Sequence, residues 1–192
     1  MYLLIVIESI KCLIIISSGL VIAVKFIFSF HSINKSEKSN KSKKLTDEEE
    51  MVLNFISNKG ASIDAIKLKL DLKNIQTIHA RAEEFGQNKK YREKFDIATS
   101  RAVANLATLS EYLLPLVKVN GRAICMKGPG ATEEISGAKN AIKLLGGKIQ
   151  NIYEFELPHS DIERCVIEIT KEKNIQSKYP RKAGTPAKDP LK

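Results

Sequence analysis

From Asn74 onward, apolar residues follow first one period and then another, and each change of period marks a new element. Ile75–His79 (IQTIH) and Phe95–Thr99 (FDIAT) are short β-rich runs. Between Arg101 and Val117, Val103, Leu106, Leu109 and Leu113 recur at helical spacing, and Pro115 is placed to bend or stop that helix. The turn pair Asn120-Gly121 precedes a third strand at Arg122–Met126 (RAICM). Thr132–Leu145 reads as a second amphipathic helix, closed by Gly146-Gly147 as a carboxyl cap. Lys148–Glu156 and Cys165–Ile169 read as strands joined by the loop Leu157–Arg164. Strand and helix in alternation, ending in a hairpin, predict an α/β fold: a mainly parallel sheet with an antiparallel strand at its carboxyl end. Ligands of such sheets bind beyond the carboxyl ends of the strands.

The first third follows no such pattern. Residues 2–30 are strongly apolar, broken by Glu8, Lys11 and Lys25. Three readings stay open. Cys12–Phe30 approaches the length of a membrane span, with Lys-rich residues 35–44 on its cytoplasmic side. The Ile, Val and Phe content also fits a pair of buried strands. The absence of Asp, Pro, Arg and Gln from residues 1–44 favours a stretch foreign to the domain, from a displaced start or an out-of-frame piece of an AT-rich gene. A signal peptide fits poorly, since neither a basic n-region nor an A-x-A site is present. Ser32–Lys44 reads as a solvated linker. Leu45–Ser57 reads as a helix started by Thr46 and the acidic run Asp47, Glu48, Glu49, with Met51, Val52 and Phe55 as its apolar stripe. The expected organisation is an apolar then basic segment (1–44), a helical segment (45–71), a partial α/β domain (72–170) and a basic tail (171–192).

Composition adds a polyanionic partner to this picture. The 192 residues carry a formal charge of +9 and are 43% hydrophobic, as a folded chain should be. Residues 1–44 hold seven lysines against Glu8 and Glu37, and residues 171–192 hold seven cations against Glu172 and Asp189. The charge therefore sits at the two ends of a near-neutral middle. Cys12, Cys125 and Cys165 are odd in number and far apart, and His31, His79 and His159 are isolated. Neither a disulfide framework nor a metal site is expected, and a reducing cytoplasm fits best.

Four stretches, in order and at matching spacing, resemble the RsmG (GidB) family of small-subunit rRNA methyltransferases. They are Ile78–Gly86 (IHARAEEFG), Tyr91–Ala104 (YREKFDIATSRAVA), Cys125–Pro129 (CMKGP) and Lys178–Pro190 (KYPRKAGTPAKDP). The similarity runs from about Leu72 to Leu191. The resemblance implies a class I methyltransferase (Rossmann-like) sheet and methyl transfer from S-adenosyl-L-methionine to the N7 of a guanine in 16S rRNA. It implies that Ala82 and Glu83 contact the donor's adenosyl part and that Arg101 is the donor-site arginine. Glu83 or Glu84 offers Arg101 a plain ion pair instead. Lys127, Tyr179, Arg181 and Lys182 fit phosphate contact and base stacking with the small-subunit rRNA or ribosomal particle. A disordered basic tail is the bland alternative for the last three. No catalytic acid or base is expected, since guanine N7 carries no proton.

The family's D-x-G-x-G-x-G-F-P-G type loop has no counterpart, because the glycines before Ala82 are Gly19 and Gly60, each alone. Asp64 and Asp71 do not supply the acidic residue expected after the second strand. The sheet is therefore expected to lack its first strands, with exposed flanks and impaired donor binding. Two alternatives follow: an inactive RNA-binding remnant, or a fragment tethered to a membrane through residues 2–30.

Overall fold

Runs with a period of two pair side by side, and stripes with a period near 3.6 cover one face of the result. A computed structural model describes residues 2–7 and 12–16 (as backbone), 68, 73, 75–101, 103–156, 161 and 163–192. Its strands are β1 (Tyr2–Ile7), β2 (Cys12–Ile16), β3 (Ile75–Ala80), β4 (Phe95–Arg101), β5 (Val117–Lys127), β6 (Gly147–Glu156) and β7 (Glu163–Lys171). Its helices of more than one described residue are α1 (Ala82–Gln87), α2 (Leu106–Leu113), α3 (Ala131–Leu144) and α4 (Thr185–Lys188). The strands form one sheet in the order β3-β1-β2-β4-β5-β7-β6. β2, β4 and β5 run parallel, and β1 lies antiparallel to both β2 and β3, so β3 shares the direction of β2. β7 is antiparallel to β5 and to β6, the antiparallel ending that the sequence predicts.

Two expectations change at the amino end. The flank of β4 is not open: Cys12–Ile16 pairs with Ile97–Arg101. Residues 2–7 and 12–16 follow the strand reading of the apolar stretch, and Cys12–Ile16 accordingly departs from the membrane-span reading. Residues 17–30, the linker 32–44 and the helix expected over 45–57 lie outside the described residues. Among the described residues no helix is long and apolar enough to cross a membrane.

The core lies between α1, α2, α3 and one sheet face. Small residues on that face, Ala98 of β4 and Ala123 and Cys125 of β5, are fully buried and let the helices approach closely. Ile167 and Ile169 of β7 continue the row, and Leu106, Leu109, Tyr112 and Leu113 of α2 meet it. The helix expected over Arg101–Val117 is shorter, because Arg101 completes β4 and Val117 begins β5. Asn105 caps α2, its side-chain oxygen accepting from the Thr108 amide at 3.0 Å. Gly146, at φ +78°, ends α3 as the pattern predicts.

Asn120-Gly121 does not precede the strand; it lies within β5. Phe95 pairs with Val117 but Ile97 with Arg122, so β5 carries extra residues opposite β4 and Asn120 takes φ +67°. A Cβ on Gly121 would stand 2.7 Å from the Asp96 carbonyl oxygen and 2.8 Å from Val117 Cγ1. Gly121→Ala is expected to destabilise the fold by about 1–3 kcal/mol, the usual range for forced overpacking. Urea unfolding checks this, and a midpoint unchanged from the parent would refute the tight fit.

Residues 172–192 are not a free tail. Arg92 donates to the carbonyls of Tyr179 (2.6 Å) and Gln176 (3.0 Å), and Gln87 to that of Pro180 (2.6 Å). The Ile175 amide donates to Glu93 at 3.0 Å, and the Thr108 hydroxyl to the Pro186 carbonyl at 2.9 Å. The basic tail expected from composition is thus stitched along α1 and α2 by groups that composition does not reveal.

Candidate functional site

Parallel strands deliver their carboxyl ends to one edge of the sheet, and this edge carries the residues singled out above. β3 ends at Ala80, just before Ala82 and Glu83 at the start of α1. β4 ends at Arg101, which pairs with Ile16 of β2 and Met126 of β5; Lys127 ends β5. The three segments therefore share an edge. They do not all share a face. Ser100 lies in register with the buried Cys125, so alternation turns Arg101 away from the helices. Glu83 and Lys127 lie on the helical side.

Glu83 is 3% exposed. Its Oε1 accepts from the Gly184 amide at 2.8 Å, while Oε2 is buried with no hydrogen-bond partner. The Thr99 and Ser100 hydroxyls, near the end of β4, are likewise buried and unpartnered. Such atoms are rare in folded proteins, since each costs about 1–3 kcal/mol unless something satisfies it. Thr99 and Ser100 point to opposite faces, so one small ligand cannot reach both. Arg101 is half-buried, and its side chain forms no ion pair with Glu83 or Glu84.

Lys127 is committed to the protein. Its Nζ donates to the Ala104 carbonyl at 2.7 Å and lies 2.8 Å from Glu134 Oε2. The same Glu134 oxygen accepts from the Leu106 amide at 2.6 Å. One carboxylate of α3 thereby joins the end of β5 to the first turn of α2, fixing the connection that follows Arg101.

The carboxyl-terminal residues are placed unevenly. Tyr179 is buried, Arg181 is half-buried, and Lys182 is exposed. The Arg181 guanidinium donates to Glu111 (2.8 Å to Oε2) and to the Asp189 carbonyl (2.7 Å), while its own amide donates to Glu111 Oε1 at 2.8 Å. Glu111 is fully buried within α2, and this hydrogen-bonded pair raises the Arg181 pKa further. Burial of Glu111 demands a cation, and Arg181 supplies it, so these residues are docked and not part of a disordered tail. Glu111, the one charged residue of Leu106–Leu113, was the sequence signal for this partner.

Cys125 is no reactive thiol. Burial pushes it up to about 12, with Lys127 opposing and Glu134 adding to the rise. An open cleft of about 330 Å³ lies beyond the end of β5, between Gly128–Gly130 and the adjoining ends of β6 (Glu154–Glu156) and β7 (Glu163–Cys165).

Residues 51–163, more than half of the chain, match the family model described as rRNA small subunit methyltransferase G. The chain belongs to that family. The ribosomal RNA small subunit methyltransferase G of Acetivibrio thermocellus is 51% identical over 140 residues, covering 73% of this chain and 57% of that protein. Its counterpart in Clostridium novyi is 48% identical over 145 residues, covering 76% and 60%. That of Oceanobacillus iheyensis is 50% identical over 129 residues, covering 67% and 54%. The chain thus spans only 54–60% of the length of these three methyltransferase G relatives. The family match begins at residue 51, earlier than the four matching stretches alone predict, and takes in the segment before Leu72.

Proposed function

We propose that the chain derives from an S-adenosylmethionine-dependent enzyme that methylates the N7 of a guanine in small-subunit 16S rRNA. Its partner is the rRNA or the ribosomal particle, in the cytoplasm. The observation that carries this reading, within a family so named, is Glu83. A buried carboxylate oxygen without a partner, beside the amide-bearing Ala82 just past the carboxyl end of β3, fits the donor edge of an adenine. The β4–α2 connection held by Lys127 stands on the same helical side of that edge, whereas Arg101 turns to the opposite face.

The fit covers one end of the methyl donor. S-adenosylmethionine supplies an electrophilic methyl group, and guanine N7 attacks it with an exposed lone pair, so no proton has to be removed first. The protein's part is alignment and exclusion of water. The methionine end needs a glycine-rich turn, which lets backbone amides come close, and the sequence before Ala82 offers only Gly19 and Gly60. That absence favours a second reading, an RNA-binding remnant with little activity.

Two measurements separate the readings. Calorimetric titration of the purified chain with S-adenosylmethionine is expected to show no binding in the micromolar range; clear micromolar binding would overturn the impairment. Transfer of labelled methyl groups to small-subunit particles would establish activity and discard the remnant. A chain that binds neither donor nor RNA would sink both readings.

A further inference from the structure

Alternation along β6 and β7 sorts the hairpin into two unlike faces. Register places Arg101, Met126, Val166 and Tyr153 in one row across four strands, with Phe155 opposite Arg164 in the next row outward. Tyr153 is 52% and Phe155 45% exposed, a large apolar area to leave in water on an edge strand. Arg122, paired with Glu168 at 3.1 Å, lies on this same face. Glu154 opposite Cys165, and Glu156 opposite Glu163, fall on the other face. The aromatic face is therefore the cationic one, with the carboxylates of the hairpin tip turned from it.

We propose that Tyr153, Phe155 and Arg164 form a stacking surface for single-stranded RNA beside the guanine to be modified. Unstacked bases settle on exposed rings whatever their sequence, and arginines on the same face meet the phosphates between them. The surface shares its row with Arg101, at the edge where the parallel strands end; the 330 Å³ cleft, lined also by Glu154, Glu156 and Glu163, is no part of it. A protein partner would be matched by an apolar centre with few charges, whereas the described residues of this face include Arg101, Arg122, Lys148 and Arg164 against Glu168, with Glu172 3.9 Å from Lys148. The inference rests on the RNA substrate proposed above but concerns a different surface from the donor pocket.

Fluorescence anisotropy of the full chain with a short labelled single-stranded RNA, over a range of salt, tests it. Replacing both rings (Tyr153→Ala with Phe155→Ala) is expected to weaken binding about tenfold or more while leaving the salt dependence unchanged. Arg164→Gln should lower the slope of log affinity against log salt by about 0.7, the single-strand value for one lost phosphate contact. Phe155→Trp should keep the affinity, which a merely structural role for Phe155 would not predict. Parent-like binding by a double variant with an unchanged melting curve overturns the surface, as does a parent that binds no RNA. Sedimentation showing a dimer that the double variant dissociates would overturn it in favour of a second copy on this face. RNA binding that depends on these rings in a chain that transfers no methyl group would leave this surface standing and favour the remnant reading.

Discussion

Lys171→Met is expected to destabilise the fold by about 3–5 kcal/mol, the range for breaking a buried charge pair from one side. Lys171 is fully buried at the end of β7. Its ammonium donates to the Leu114 carbonyl at 2.6 Å and the Val117 carbonyl at 3.2 Å, and lies 3.1 Å from Glu93 Oε1. Methionine fills the space but leaves two carbonyls and a carboxylate facing hydrocarbon. Urea unfolding at neutral pH should show a much lower midpoint, and a change under ~0.5 kcal/mol, as at an ordinary surface site, would disprove the clamp.

The same lysine gives a pH dependence with a defined sign. Burial lowers its pKa below the ordinary 10.5, with the bond to Glu93 opposing. Between the lowered value and 10.5 the unfolded chain binds more protons than the folded one. The parent therefore gains stability from this group as pH rises through that alkaline window. Lys171→Met lacks the group, so the gap between parent and variant should widen towards 10.5. A gap that narrows would mean that the ion pair outweighs burial.

Arg181→Ala should cost about 3 kcal/mol or more by leaving Glu111 as a buried carboxylate without its guanidinium. The amide of residue 181 remains as one donor to Glu111, so the helix need not break. The loss should concentrate where the carboxyl-terminal segment meets α2, and hydrogen exchange of residues 176–190 should accelerate first. Arg181→Lys should recover only part of the stability, since an ammonium cannot reproduce the two-pronged contact. If Arg181 served RNA alone, the alanine variant would lose RNA affinity and keep its melting temperature. That result would reverse the assignment.

Periodicity made most strands legible, because each strand that packs one face against helices alternates in sequence. It failed where burial continues past an element. Leu114, Leu116 and Val117 are as buried as α2 itself, so the apolar stripe ran on and lengthened the expected helix. Asn120-Gly121 carried a true turn signal, but its positive φ serves an irregularity inside β5. The site was legible only in part. Ala82 and Glu83 stand at a strand's end as the resemblance implies, while the engagements of Lys127 with Glu134 and of Arg181 with Glu111 join residues 7 and 70 positions apart. No local pattern encodes such pairs. A cation beside aromatic residues looks the same in sequence whether it meets a phosphate or a buried carboxylate.

Glu83 is shared property. One oxygen holds the Gly184 amide, and the other, buried and without a partner, is the one proposed to meet the methyl donor. A molecule that draws on the second oxygen changes how firmly the first can hold, so occupancy and docking of the last residues form a single linked equilibrium. Any ligand that steadies residues 181–190 against a protease must, by reciprocity, lose the same factor of affinity when those residues are clipped away.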